Sequence, residues 1–244
     1  MLIANKTLKI AIVGYGAMGK SIEKVAERNN IEVTDIFDIN SPIEHYKSYN
    51  FDVAIDFSSP AAIMDNIKIL TNLNKNIVIG TTGWYQKIDE VRNYCEKAGN
   101  GIIWASNFSV GMQIFFKLIK EASKAIDKLD SYDIFVNEIH HNNKIDSPSG
   151  TANMIANIIL ENNSRKKTII TETLNRKISS EELHISSNRG GSVVGTHTVF
   201  LDSTEDMLEL KHIAKNRDGF AEGAILAAKW IFNKKGFYNF SDLF

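Results

Sequence analysis

The sequence predicts an α/β protein in which a helix-covered parallel sheet is followed by a second, α+β domain on a mostly antiparallel or mixed sheet. Three observations carry this. Short apolar runs alternate with helix-patterned segments through the first hundred residues. A glycine-rich turn joins the first such run to the first helix, and strand patterns dominate beyond about residue 130. Alternation with short connections is what a parallel sheet with helices on both faces requires.

Residues 8–13 form an apolar, β-branched run, as expected of a strand buried on both faces. Residues 20–29 have a helical pattern, and 31–37 and 52–57 (DVAIDF) have strand patterns. Pro60 suits the first position of a helix that continues to about residue 73. A strand at 76–79, a helix at 85–98 and a strand at 101–105 (GIIWA) complete the first region. Ser109 is placed to cap a long helix, in which Met112, Phe115, Phe116, Ile119, Ala122 and Ile126 keep helical spacing. Strands are then expected at 132–140, 168–173, 184–188, 192–202 and 207–213, with one helix from Thr151 to about residue 160. Residues 218–233 form an amphipathic helix, and pattern alone does not say which domain owns it.

The 244 residues are 43% hydrophobic and 23% charged, enough for one large or two modest self-supporting domains. A net charge of -1 offers no field for nucleic acid or an anionic membrane, so an anionic partner must be held by a local site. Cys95 is the only cysteine, which excludes an internal disulfide and argues against a Cys-based metal site. It reads as a buried, inert thiol. The opening MLIANKTLKIAIVGYG lacks a cleavage-site pattern, and no run reaches the roughly 18–20 apolar residues of a membrane span. A soluble, cytoplasmic protein is expected.

Gly14-Tyr15-Gly16-Ala17-Met18-Gly19 is a G-x-G-x-x-G between a strand and a helix. Gly14 permits the tight turn, Gly16 lets backbone approach a pyrophosphate, and Gly19 allows close helix–strand packing. Free N–H groups at the helix start then face the phosphates. Asp38 ends the next strand nineteen positions beyond Gly19, near the spacing of a ribose-binding acid, whereas its competitor Asp35 falls inside the strand. No cation adjoins Asp38, since Ile39 and Asn40 follow it. This favours NADH and leaves NADPH possible, with Lys20 or Lys47 as the side chains able to change the preference. The Gly80-Thr81-Thr82-Gly83 loop and the Ala105-Ser106-Asn107-Phe108 segment each follow a parallel strand, where such sheets bind ligands. Either is also compatible with ordinary turn chemistry.

The stretch EIHHNNKIDSPSGTA leaves a strand, crosses a polar loop and enters a helix. Ser149, Gly150 and Thr151 offer backbone N–H groups and hydroxyls at a helix start, and Lys144 adds a positive charge beside them. Together they suit a carboxylate. His140 and His141 can exchange protons near neutral pH, and a lysine can act as an acid. If the strand runs through both histidines, they face opposite ways and take different roles. That arrangement counts against a shared metal ion, and no metal is expected. Arg189 either clamps a carboxylate or sits in a hairpin with its charge in water, while His197 and His212 read as structural.

GYGAMG, AIDFSSP, GTTG, SNFSVGM, EIHHNNKIDSPSGTA and RGGSVVGTH, in that order, resemble the signatures of the 4-hydroxy-tetrahydrodipicolinate (dihydrodipicolinate) reductase family. The resemblance implies a Rossmann-type domain at residues 1–108 with 214–244, and a substrate-binding and oligomerisation domain at 109–213. It also implies a homotetramer, a small dicarboxylate substrate, and hydride transfer from NADH or NADPH. By position, His140 resembles the acid/base residue and Lys144 the proton donor. His141, Ser149, Gly150 and Thr151 resemble substrate-carboxylate binders. Gly14, Tyr15, Gly16, Ala17, Met18, Asp38, Gly80, Thr81, Thr82, Ala105, Ser106, Asn107 and Phe108 resemble cofactor contacts. Ser147 stands where the family usually has alanine, and Asn143 where some members are basic. Other dehydrogenases of similar layout share the glycine loop but need not share the HHNNK and PSGT elements.

Overall fold

The structure, a computed structural model, describes residues 7–244. The chain divides into two compact units, one running to Val110 and resuming over Arg217–Phe244, the other spanning Gly111–Asn216.

In the first unit, β1 (Lys9–Val13), α1 (Ala17–Arg28), β2 (Glu32–Phe37), β3 (Val53–Asp56), α2 (Ile63–Asn72) and β4 (Asn76–Ile79) follow in turn. A 3-10 turn at Tyr85–Lys87 leads into α3 (Ile88–Ala98) and β5 (Gly101–Trp104). The period-two alternation of the strands divides the core. Ile10, Ile12, Val53 and Ile55 point to one apolar layer, and Ala11, Val13, Ala54, Ile77 and Ile79 to the other. Both faces are therefore buried, which is why these strands read as continuous apolar runs.

The second unit begins within α4 (Val110–Ile126) and continues with β6 (Asp133–His140), α5 (Gly150–Asn162), β7 (Thr168–Ile170), β8 (Glu182–Arg189), β9 (Thr196–Asp202) and β10 (Met207–Ile213). The sheet order is β10-β9-β6-β8-β7, with β6, β8 and β7 parallel and β9 and β10 antiparallel. It is thus the mixed form of the two alternatives. One face buries Ile134, Val136, Leu183, Ile185, Val199 and Leu201 against Phe115, Ile119, Ile155 and Ile159 of α4 and α5. On β6, Glu138 and His140 share the parity of Ile134 and Val136, so the same alternation turns them toward the helix-covered face.

The chain then returns to the first unit with α6 (Asp218–Ile231), β11 (Gly236–Asn239) and a 3-10 turn at Phe240–Leu243. The first sheet has the order β11-β5-β4-β3-β1-β2, all parallel. The α6 helix lies in the same apolar layer as α1, through Ala221, Ala224, Ile225 and Ala228.

Several boundaries differ from expectation. α1 starts at Ala17 rather than at 20, because the glycine turn is itself the helix start. β7 stops at Ile170, and β8 is longer than 184–188. β9 starts at Thr196 rather than at 192, because the turn carrying Gly191 at φ +56 occupies the preceding residues. β6 ends at His140, so His141 lies in the loop rather than on the opposite face of a strand. β11 was not anticipated, since GFYN is too short to show a period and gains its ladder only by pairing with β5.

Gly223 provides a stringent test of the α6 packing. A Cβ there would lie 1.6 Å from the Phe108 carbonyl oxygen, a backbone atom that cannot rotate away. Gly223→Ala is expected to destabilise the first unit by about 3 kcal/mol, the upper end of overpacking costs. Urea unfolding measures it, and an unchanged midpoint would contradict the packing described.

Candidate active site

The chain runs from β1 out to β2 on one side and then crosses to β3 on the other. A crevice opens at the carboxyl ends of the strands at such a reversal, where open α/β sheets bind ligands. Here a cavity of about 650 Å³ is lined by Gly14, Tyr15, Gly16, Asp38, Phe57 and Ser58, among others. Gly14 has φ +90, and a Cβ on it would strike the Phe57 carbonyl oxygen at 2.4 Å. At Gly19 a Cβ would meet the Gly14 carbonyl oxygen at 2.3 Å, so helix and turn pack as closely as the sequence pattern requires. Gly16, by contrast, faces open space. Two glycines are therefore fixed by the protein's own backbone, and the third leaves room where a pyrophosphate would approach. The residues present fit a dinucleotide.

Asp38 follows β2 on the cavity wall, and its Oδ1 accepts hydrogen bonds from the N–H groups of Asn40 (2.8 Å) and Ser41 (3.0 Å). Ala17 and Met18 occupy the first turn of α1. Lys47 pairs with Glu44 at 3.7 Å, and Lys20 lies over the Tyr15 ring. After β4, a Cβ on Gly80 would lie 2.2 Å from the Phe57 ring. Thr81 is buried with its hydroxyl turned inward, whereas Thr82 is exposed. Ser106 is exposed and Asn107 half-buried, but the side chains of Ala105 and Phe108 belong to the core. Only the main chain of those two residues can serve a ligand.

In the second unit the chemistry gathers around Glu138. Antiparallel register places His197 of β9 opposite Glu138, and parallel register places Arg189 of β8 beside His140. Glu138 is wholly buried. Its Oε1 accepts from Arg189 Nη2 (2.7 Å) and from the Ser149 N–H (3.2 Å), and its Oε2 lies against His140 Nδ1. Burial works to raise the Glu138 carboxyl. The hydrogen bonds from Arg189 and Ser187, with the Arg189 charge, outweigh burial and hold it below its ordinary range. His140 is itself pushed down, first by burial and then by Lys144 and Arg189, with Glu138 acting in the opposite sense. A neutral imidazole with Nδ1 facing a carboxylate keeps its proton there and leaves Nε2 as the acceptor.

Arg189 also donates to the Asp146 carbonyl (2.7 Å), which anchors the 141–149 loop. It matches neither sequence expectation, because its partner is an internal carboxylate rather than a ligand or water. His197, read from the sequence as structural, lies buried within this cluster. Its Nε2 is 3.3 Å from Ser149 Oγ, and its ring meets that of His140 edge-on with centroids 5.2 Å apart. Burial, followed by the neighbouring His140, lowers the His197 pKa to about 4, so it is neutral at physiological pH. His212 packs against Phe115, in keeping with a structural role. Neither Glu138 nor His197 stood out in the sequence; the strand parity that Glu138 shares with His140 was a usable signal for the first, and only the β6–β9 register brings in the second.

Ser149 caps α5, accepting from the Ala152 N–H (3.1 Å), so its hydroxyl is committed to the fold. Gly150 is exposed and Thr151 half-exposed at the helix start. Lys144 Nζ lies 2.8 Å from Asp146 Oδ1. The Asp146 carboxyl is held below its ordinary range, chiefly by this hydrogen bond, with the Lys144 charge and the Gly150 N–H adding to it. A carboxylate thus already draws on the lysine and helix-start amide that the sequence assigned to an anion. Glu138, His140 and His197 bring possible metal-ligand atoms within 4.8 Å of one another. Arg189 on the same carboxylate, with Lys144 nearby, makes this an internal ion pair that opposes a further cation.

Residues 8–108 match the family model described as dihydrodipicolinate reductase, N-terminus, and residues 111–244 match the one described as its C-terminus. The chain belongs to the dihydrodipicolinate reductase family. It is 37% identical over 97% of both chains to the 4-hydroxy-tetrahydrodipicolinate reductase of Christiangramia forsetii. It is 35% identical over 98% of both chains to the enzyme of the same name from Buchnera aphidicola subsp. Acyrthosiphon pisum. In fold it resembles a dipicolinate-bound dihydrodipicolinate reductase from Paenisporosarcina sp. TG-14, with a TM-score of 0.78 at 23% identity, covering 98% of this chain and 100% of the other.

Glu138→Gln tests the role of the carboxylate within this family site. The amide can keep an oxygen toward Arg189 and Ser149, but it then presents N–H to His140 Nδ1 and forces the proton onto Nε2. Turnover is expected to fall by about 10² or more, while the KM for the nicotinamide cofactor changes less than twofold. Steady-state kinetics decides, and wild-type turnover would contradict the assigned tautomer.

Proposed function

We propose that the protein is a nicotinamide-dependent reductase. It converts 4-hydroxy-tetrahydrodipicolinate, by way of dihydrodipicolinate, to tetrahydrodipicolinate in diaminopimelate and lysine biosynthesis. The observation that carries this reading is the HHNNKIDSPSGT loop, in which Lys144 and the Gly150 amide already hold the loop's own Asp146 carboxylate and Lys144 acts on His140. Residues 1–108 with 214–244 form the dinucleotide-binding domain and 109–213 the substrate domain. In the substrate domain, the exposed Met207, Leu208 and Ile213 of β10 offer apolar surface for a homotetramer. No helix among the described residues is long and apolar enough to cross a membrane, and a cytoplasmic location suits the reaction.

When bound, the reduced nicotinamide supplies hydride to C4 of the substrate's conjugated ring. Gly14, Tyr15, Gly16, Ala17 and Met18 receive the pyrophosphate, Asp38 the ribose, and the 80–82 and 105–108 segments the nicotinamide half. NADH is the preferred cofactor, because a 2′-phosphate would meet the Asp38 carboxylate while Lys47 is drawn to Glu44. His141, the Gly150 and Thr151 amides and the Thr151 hydroxyl bind the substrate carboxylate, and Ser149 holds their helix start in place. Lys144 orients the ring and delivers the proton that completes reduction, with His140 as its acid/base partner. Loss of water from the hydroxylated substrate precedes or accompanies this step.

The test follows NADH absorbance with substrate made in situ from pyruvate and aspartate semialdehyde by a coupled synthase, with NADPH in parallel. Synthase-dependent oxidation, faster with NADH, is expected. Its absence in folded, NADH-binding protein would refute the assigned reaction. His140→Gln and Lys144→Ala are each expected to lower turnover by about 10² to 10⁴-fold with little change in NADH binding. Near-normal turnover in both would overturn their roles.

A further inference from the structure

The last residue of β3, Asp56, is wholly buried in the first unit and takes no part in the chemistry above. Its Oδ1 accepts from the Ser58 N–H (2.9 Å), the Ser58 hydroxyl (2.7 Å) and the Thr81 hydroxyl (2.7 Å). Its Oδ2 accepts from Asn66 Nδ2 (2.9 Å). The Thr81 N–H also reaches the Asp56 carbonyl at 3.2 Å. Four side-chain bonds therefore converge from three segments: the chain leaving β3, the body of α2, and the loop after β4. None comes from a cation. Burial raises the carboxyl above its ordinary range against the pull of these bonds. Such a group costs several kcal/mol to bury, and ending a strand does not require one.

Its position gives the reason. Phe57, the next residue, is wedged between Gly14 and Gly80, where either glycine's Cβ would strike it. Ser58 lines the cavity. The backbone at Thr81 is fixed twice, by its hydroxyl on Asp56 and by Trp84 Nε1 donating to its carbonyl (2.8 Å). Thr82, the next residue, is exposed.

We infer that Asp56 is a positioning residue that clamps the 57–59 and 80–83 loops into one surface for the nicotinamide half of the dinucleotide. The 57–59 side of the clamp also lines the cavity with Asp38, so only the 80–83 side is specific to the nicotinamide half. This rests on the cofactor reading above, and it assigns Thr81 to the clamp and Thr82 to the contact.

The test compares the affinities of NADH and ADP-ribose, which lacks nicotinamide, by calorimetry on the full chain, alongside thermal midpoints. Asp56→Asn and Thr81→Val are each expected to weaken NADH about tenfold, the scale of one lost buried hydrogen bond, and Thr81→Val to leave ADP-ribose within twofold. Thr81→Ser, which restores the hydroxyl, should recover NADH affinity. If Asp56→Asn does not fold, Thr81→Val decides alone. Wild-type NADH affinity in Thr81→Val, or equal losses for both ligands in that variant, overturns the clamp. Failure of the wild type to bind either ligand would instead remove the cofactor reading and the clamp with it.

Discussion

The carboxylate of Glu138 is taken fully out of water, a costly placement unless its oxygens are engaged. Arg189, the Ser149 amide and His140 engage them, and the local structure follows from that requirement. Arg189 is drawn in from β8 and carries the 141–149 loop through Asp146. The Ser149 amide brings the start of α5 against the end of β6. His140 is left with one nitrogen committed and one available. Removing the carboxylate would leave a half-buried guanidinium and an unoriented imidazole. Its value lies in fixing geometry more than in net stability, as buried ion pairs often give little of the latter.

The first unit solves a different problem by steric means. The proposed phosphate site has no arginine among the lining residues described, and the chain carries almost no net charge. In the proposed reading, attraction for phosphates comes from backbone N–H groups at the start of α1, which requires the backbone to be bare. Gly14 and Gly19 are demanded by Phe57 and by the turn itself, and Gly16 by the space it leaves open. The same close packing makes Phe57 and its neighbour Asp56 the junction between the glycine turn and the loop after β4.

Much of this was legible in the sequence. Strands buried on both faces, the glycine spacing and the polar loop before Gly150 are local signals, and each maps to its expected place. What the sequence hid depends on register. His197 and Glu138 become neighbours only because β6 and β9 pair antiparallel with those residues opposite. Arg189 faces inward because β6 and β8 pair in parallel. β11 exists only through β5, and the inward turn of Thr81 only through Asp56. In each case the decisive partner is distant in sequence, and no local pattern encodes it.

The proposed chemistry depends most on how His140 is held. Long-range ¹⁵N–¹H correlation NMR on histidine-labelled protein, near pH 7.5, reads the tautomer directly. A neutral ring protonated at Nδ1, with Nε2 unprotonated, is the result that the Glu138 contact dictates. A ring protonated at Nε2 alone would show that Glu138 does not orient it, and the proposed acid/base arrangement would fail.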